Sequence, residues 1–132
     1  MSVFVDTSAL LAMLDADESS HRRCADAWTR LVTDDERLVT SSYVVVEVFA
    51  LVQRRLGLDA VRALETSVMP LVQVLRVEEE IHRRAISALL AASRKKLSLV
   101  DCASFELMRE YGIRSAFTLD RHFSDQGFER VP

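Results

Sequence analysis

The sequence contains few of the residues that build linkers, disulfide frameworks and membrane spans. Its 132 residues include three glycines, two prolines and two cysteines, which leaves little room for low-complexity segments. Cys24 and Cys102 lack the spacing of a zinc site or a redox pair, so we expect two small buried thiols and no disulfide. No apolar run approaches the roughly 20 residues of a membrane helix, and the start lacks a basic segment followed by an apolar stretch and a cleavage site. These absences predict one cytoplasmic domain over residues 1–132.

An excess of positive charge is also missing. The formal net charge of −3 is a mild argument against a protein that binds nucleic acid regardless of sequence, because such proteins neutralise phosphates with a basic surface. The argument weakens if part of the acidic charge is gathered in a metal site, where a cation would cancel it. The basic residues include clusters elsewhere in the chain: Arg22, Arg23, Arg54, Arg55, Arg83, Arg84, Arg94, Lys95 and Lys96.

Segments with strand-like and helix-like patterns alternate along the chain. Strands are predicted over residues 3–5, 37–40, 72–77, 116–119 and 128–131. Helices are predicted over residues 9–14, 20–32, 43–56, 58–68, 78–93 and 98–111, with Thr7 or Ser8 capping the first. The valines around Glu47 favour a strand, but apolar residues at helical spacing and a terminal Gly57 favour a helix. This order predicts right-handed βαβ units, and so an α/β fold whose parallel sheet is covered on both faces.

Four acidic residues lie at the ends of apolar segments or within them: Asp6, Glu47, Asp101 and Asp120. Ligands of open parallel sheets collect at the carboxyl ends of the strands, so all four side chains are expected at one rim. Two carboxylates about 4 Å apart repel by roughly 4 kcal/mol at an effective dielectric near 20, and a cluster of four therefore implies a divalent cation if they meet. Acids at strand ends also cap helices. Position alone is therefore equally consistent with four acids that each cap a helix and form no common site. Oxygen ligands suit Mg²⁺ or Mn²⁺, whereas zinc usually recruits His or Cys.

Four motifs in a fixed order surround these acids. They are Val-Asp-Thr-Ser-Ala-Leu at the start, a lone Glu in an apolar helix, Leu-Ser-Leu-Val-Asp-Cys-Ala, and Phe-Thr-Leu-Asp-Arg-His-Phe. With these motifs the chain resembles the PIN-domain family over nearly its whole length, and its size and motif order resemble the VapC toxins of toxin–antitoxin pairs. The resemblance implies a three-layer α/β/α sandwich with a mainly parallel central sheet. It also implies an endoribonuclease that depends on Mg²⁺ or Mn²⁺.

The resemblance assigns roles to particular residues. The catalytic, metal-holding acids fall on Asp6, Glu47, Asp101 and Asp120. Thr7, Ser8 and Thr118 match supporting hydroxyl positions that orient a carboxylate or a water. The implied reaction is attack of a metal-activated water on a phosphodiester of RNA. His122 is open to two interpretations, as a side chain that approaches the scissile phosphate or as part of a short turn, while His21 and His82 are expected to be ordinary surface residues.

The resemblance further implies an RNA substrate, a homodimer and a VapB-like antitoxin whose C-terminal segment lies in an apolar groove. Apolar side chains in suitable positions for that groove are Leu11, Met13, Leu14, Trp28 and Phe49. The simpler interpretation is that each of them belongs to the core.

Three other functions remain as alternatives. A haloacid-dehalogenase-like phosphatase would need a second Asp two positions after the first, and Ser8 stands there. A PIN nuclease that is not a toxin would share all the motifs described above. A catalytically silent PIN-like module that binds RNA or protein would be favoured by loss of an acid, and all four acids are present.

Overall fold

The computed structural model describes residues 1–93 and 96–132, and within them the chain forms five strands joined by helices. The strands are β1 (Ser2–Val5), β2 (Arg37–Ser41), β3 (Gln73–Leu75), β4 (Ser115–Phe117) and β5 (Glu129–Val131). The α-helices are α1 (Thr7–Leu14), α2 (His21–Thr33), α3 (Ser42–Leu56), α4 (Leu58–Ala63), α5 (Glu79–Ala92), α6 (Leu99–Glu110) and α7 (Arg121–Asp125).

The strands form one sheet in the order β3-β2-β1-β4-β5, and every neighbouring pair is parallel. The central strand β1 pairs Val3 with Leu38 on one side and with Ser115 on the other. The predicted parallel sheet is therefore confirmed.

Alternation along β1 divides the core into two layers, because successive side chains of a strand point to opposite faces. Val3 and Val5 contact the cluster formed with α1, α2, α3 and α4, whereas Phe4 contacts the cluster formed with α5, α6 and α7. Helix α3 contributes to both layers, with Val44 in the second and Val48 in the first. Each face of the sheet is thus covered by helices, which is the expected α/β/α sandwich.

The valine-rich segment Ser42–Leu56 forms a helix, α3, although valine favours strands. The Ser41 hydroxyl accepts a hydrogen bond from the Val44 N–H at 3.0 Å, which caps the first turn. Gly57 ends the helix with a φ of 90°, a conformation that glycine adopts without strain. Capping and burial of one apolar face therefore outweigh the strand propensity of the valines.

Several predicted boundaries are wrong. Asp6, rather than Thr7 or Ser8, caps α1, and the helix begins at Thr7. The predicted helix over 58–68 does end before Pro70, but it is α-helical only to Ala63 and continues as a π-helical turn over Leu64–Val68. A 3₁₀ turn over Met69–Leu71 follows, since proline cannot continue the α-helical hydrogen bonds.

The last predicted strand also differs. Strand β4 ends at Phe117 instead of Leu119, so Asp120 stands three residues beyond it and caps α7, a short helix that the sequence did not predict. Strand β3 is confined to Gln73–Leu75 within the expected 72–77.

Both cysteines are free and buried, as expected. His21 and His82 are not simple surface residues: His21 Nδ1 lies 3.0 Å from the Ala12 carbonyl oxygen, and His82 Nδ1 lies 2.5 Å from the Tyr43 hydroxyl. In the described parts of the chain no helix has the length and apolar character of a membrane span.

Some arginines of the expected basic clusters are paired with carboxylates, so these arginines add little positive charge to the surface. Arg83 contacts the Glu79 carboxylate, and Arg84 lies within 4 Å of the carboxylates of Glu80, Glu106 and Glu110. Arg94 and Lys95 of the predicted basic triplet lie outside the described residues.

Candidate functional site

The sheet order creates a crevice between β1 and β4. The chain leaves β1 toward β2 and leaves β4 toward β5, in opposite directions, and such a switch point opens a cleft at the carboxyl ends of the two strands. Asp6 follows β1 directly and Asp120 follows β4, while α3 brings Glu47 and α6 brings Asp101 to the same place. All four predicted acids line one open cleft of about 320 Å³.

Asp6 is the most enclosed of these acids, with 4% of its surface exposed. Its Oδ2 accepts hydrogen bonds from Thr118 Oγ1 and Ser8 Oγ, each at 2.8 Å, and from the Ser8 N–H at 3.4 Å. Burial raises the pKa of Asp6 to about 6, and the nearby charge of Asp101 adds to the rise, although the hydroxyl hydrogen bonds oppose it. The fold thus holds a carboxyl group whose charged form is poorly compensated by protein groups alone.

The two hydroxyls that hold Asp6 also fix the loop after β4. Ser8 Oγ accepts from the Leu119 N–H at 2.9 Å, and Thr118 Oγ1 accepts from the Asp120 N–H at 3.0 Å. Each hydroxyl therefore donates to Asp6 and accepts from this loop, so the positions of Asp6 and Asp120 depend on each other.

Thr7 lies in the same cleft but makes no such bond. Its Oγ1 is buried without a hydrogen-bond partner among the described residues, and 6% of the residue is exposed. Buried hydroxyls rarely stay unpaired. Of the three predicted hydroxyl residues, Ser8 and Thr118 contact Asp6, whereas the Thr7 hydroxyl is buried beside the cleft with no partner among the described residues.

Asp101 is fixed by the start of α6. Its Oδ2 accepts from the Ser98 N–H at 3.0 Å, and Ser98 Oγ accepts from the Asp101 N–H at 3.0 Å, which forms a reciprocal capping box. Burial raises the pKa of Asp101, and the charges of Asp120 and Glu47 raise it further, against the hydrogen bonds from Ser98. Asp101 is thus both a helix cap and a member of the cleft.

Asp120 contacts His122, for which the sequence allowed two interpretations. Asp120 Oδ1 accepts from the His122 N–H at 2.9 Å, and His122 Nδ1 lies 2.9 Å from the same oxygen. Possible ligand atoms of Asp101, Asp120 and His122 all lie within 4.8 Å of one another. The imidazole of His122 therefore borders the acidic cluster.

Cations and apolar side chains that the sequence did not predict at this site complete the cleft. Arg55 and Lys96 line it together with Leu11, Leu51 and Ser98. Arg55 also lines an adjoining groove of about 220 Å³ that runs beside α1. A signal for Arg55 was present, because it follows Glu47 at two helical steps of four residues and so lies on the same face of α3.

Most of the side chains proposed for an antitoxin groove pack in the core. Trp28 is buried, and Leu11, Met13, Leu14 and Phe49 are half-buried against the same cluster. Leu11 alone of these five also lines the acidic cleft.

An α/β/α sandwich with a carboxylate-rich cleft at the switch point of its sheet defines a class of proteins with a site suited to hard divalent cations. The PIN domain family matches residues 3–129 of the chain. The chain is 32% identical over 130 residues to the 23S rRNA-specific endonuclease VapC20 of Mycobacterium tuberculosis, covering 98% of this chain and 97% of that protein. It is 33% identical over 127 residues to Ribonuclease VapC26 of the same organism, covering 92% and 90%.

Solved structures show the same fold. The crystal structure of M. tuberculosis VapC20, described as a Sarcin-Ricin loop cleaving toxin, matches with a TM-score of 0.82 and 30% identity over 96% of this chain and 95% of that one. FitAcB from Neisseria gonorrhoeae matches with a TM-score of 0.71 at 18% identity, over 100% of this chain and 97% of that chain, which shows likeness of fold. The chain belongs to the PIN-domain family, as its four motifs predicted.

Proposed function

We propose that this chain is a metal-dependent endoribonuclease and the toxin of a VapBC-type pair, with residues 1–132 forming one nuclease domain. The observation that carries the proposal is the convergence of Asp6, Glu47, Asp101 and Asp120 on one cleft. Two relatives support the proposal: the chain matches each over 90% or more of the relative's length, and they are named as an endonuclease and a ribonuclease.

The cleft fits Mg²⁺ or Mn²⁺. Its donors include the oxygens of four carboxylates, the buried Thr7 hydroxyl has no partner among the described residues, and the pKa of Asp6 is raised to about 6 in the absence of a compensating cation. We assign the four acids as the groups that hold the ion. When bound, such a cation supplies a Lewis acid that activates water and offsets the charge of the phosphodiester.

The remaining residues of the cleft hold this arrangement in place. Ser8 and Thr118 orient Asp6, Ser98 orients Asp101, and the hydrogen bond from the Asp120 N–H to Thr118 sets the loop that carries Asp120. Because these contacts exist in the protein alone, the carboxylates need little reorganisation when substrate binds.

RNA is the proposed substrate, and Arg55 and Lys96 are placed to contact its phosphates at the edge of the acidic cleft. The likeness to a 23S rRNA-specific endonuclease makes 23S rRNA the first target to test. A VapB-like antitoxin, a homodimeric state and a cytoplasmic location are proposed from the family resemblance.

Cleavage of total RNA and of 23S rRNA by the purified protein tests the nuclease. We expect discrete cuts with Mg²⁺ or Mn²⁺, and none with EDTA or with Asp101→Asn. The asparagine retains an oxygen that accepts the Ser98 N–H, so the capping box and the fold should persist. Asp59→Asn is the matched control, because Asp59 is an exposed acid that contacts Arg62 and lies outside the cleft.

Cutting by Asp101→Asn at the wild-type rate would contradict the assigned site, and no cutting by the wild-type protein would favour a silent binding module. Growth of cells that express the wild-type chain or Asp101→Asn then separates a toxin from a harmless nuclease. A toxin arrests growth with the wild-type chain, and Asp101→Asn relieves the arrest.

A further inference from the structure

Among the three histidines, His122 is the one whose ring contacts an acid of the cleft, and the residue itself lines the cavity formed with Ala92, Leu97, Asp125 and Gln126. His21 is engaged with the Ala12 carbonyl oxygen and His82 with the Tyr43 hydroxyl. His122 Nδ1 is buried and lies 2.9 Å from Asp120 Oδ1, yet among residues 1–93 and 96–132 it has no hydrogen-bond partner of acceptable geometry. The contact therefore brings a nitrogen and an oxygen close together without a well-directed hydrogen bond.

That separation matches two neighbouring ligands of one metal ion. In an octahedral site with bonds of about 2.1 Å, adjacent ligand atoms are roughly 3.0 Å apart and opposite ones about 4.2 Å apart. The ligand atoms of Asp101, Asp120 and His122 lie within 4.8 Å of one another, so small side-chain adjustments bring all three onto one ion.

A second observation indicates that a ligand belongs in this cleft. The Thr7 hydroxyl is buried and has no hydrogen-bond partner within the described part of the chain, and Thr7 is one of the residues that line the cleft of Asp101 and Asp120. A cation with its bound waters would supply the missing partner.

We propose that His122 Nδ1, together with the carboxylates of Asp101 and Asp120, coordinates one transition-metal ion such as Mn²⁺. The ion then has both nitrogen and oxygen ligands. The inference rests on the proposed function only in using the same acidic cleft. Imidazole nitrogen is a softer donor than carboxylate oxygen, and it favours first-row transition metals over Mg²⁺. The chain is therefore expected to bind Mn²⁺ more tightly than Mg²⁺, with His122 responsible for part of the difference.

Pulsed electron paramagnetic resonance of the Mn²⁺-loaded protein tests this ligand directly. A coordinated imidazole gives a ¹⁴N modulation on the Mn²⁺ signal, which changes when histidine alone is labelled with ¹⁵N. We expect that modulation in the wild-type chain and in His21→Asn, and its loss in His122→Asn. Calorimetric titration should show Mn²⁺ binding weakened by at least about tenfold in His122→Asn, and Mg²⁺ binding weakened by a smaller factor.

The labelling experiment needs no variant, so a folding defect in His122→Asn would not prevent the test. Mn²⁺ binding without histidine ¹⁴N modulation would overturn the inference and leave the four-carboxylate site intact. Modulation that persists in His122→Asn would also overturn it. Absence of any Mn²⁺ binding would overturn the inference together with the metal dependence of the proposed function, and the RNA cleavage assay would then decide that function separately.

Discussion

Asp6→Asn is the substitution that most directly tests the electrostatics of the cleft. Asp6 is 4% exposed, and burial raises its pKa from the usual value of 3.8 to about 6. Asparagine keeps an oxygen that accepts hydrogen bonds from Ser8 and Thr118, but it has no proton to lose. The variant therefore removes the titration while retaining most of the local contacts.

The sign of the effect follows from where the proton is held. Between pH 3.8 and about 6 the folded protein retains the Asp6 proton that the unfolded chain has lost, so the free energy of unfolding falls as the pH rises through this window. The difference between the two pKa values corresponds to roughly 3 kcal/mol. Above pH 6 the whole of this destabilisation is present, and below pH 3.8 none of it is.

Urea unfolding of the metal-free wild-type chain and of Asp6→Asn between pH 4 and pH 7 measures this difference. We expect the stability of the wild-type chain relative to the variant to fall by roughly 3 kcal/mol across the range. Contributions of groups that do not interact with Asp6 cancel in the comparison, since both proteins contain them, whereas the charge of Asp101 is coupled to that of Asp6. Addition of Mg²⁺ at pH 7 should stabilise the wild-type chain more than the variant. A difference that stays constant with pH would refute the assignment of the raised pKa to Asp6.

Three further substitutions probe the cap, the cleft edge and the core. Ser98→Ala removes the capping box of α6 and should lower the free energy of unfolding by about 1 kcal/mol in thermal or urea unfolding. Arg55→Ala in the Asp101→Asn background should weaken RNA binding and reduce the slope of log affinity against log salt by about 1, whereas loss of affinity without a change of slope would contradict a phosphate contact. Phe4→Ala, at a fully buried position of β1, should lower the free energy of unfolding by about 3–5 kcal/mol in urea unfolding, and a loss below 1 kcal/mol would contradict its place in the core.

The parallel sheet and the meeting of the four acids were predictable because their signals are local. A short apolar run that ends in an acid occurs at both Asp6 and Asp120, and the alternation of strand-like and helix-like segments along the chain indicates a parallel sheet. Strand ends of a parallel sheet share one rim, so the proximity of these two acids followed without knowledge of the register. Asp101 was predictable at the same rim, because a helix that starts at Ser98 presents its first turn there.

Contacts between distant segments were not predictable in the same way. The cap of α1 was assigned to Thr7 or Ser8, since both hydroxyls are good caps, but Ser8 Oγ is engaged between Asp6 and the Leu119 N–H. That competition depends on a segment more than a hundred positions away. The place of His122 has a similar origin, because it follows from the short helix α7, whose five residues are too few for a periodic pattern.

The number of residues between each acid and its strand explains why Asp6 and Asp120 differ in burial. Strand β1 has neighbours on both sides and helices on both faces, so the residue that follows it is almost fully enclosed. Strand β4 ends three residues before Asp120, whose side chain is 25% exposed because the intervening loop carries it toward the opening of the cleft. Asp6 is therefore the acid whose charge is least solvated, and it gains the most from a cation beside it. A bound metal ion should thus lower the pKa of Asp6 and remove the fall in stability between pH 4 and pH 6, which couples metal binding to the stability of the central strand.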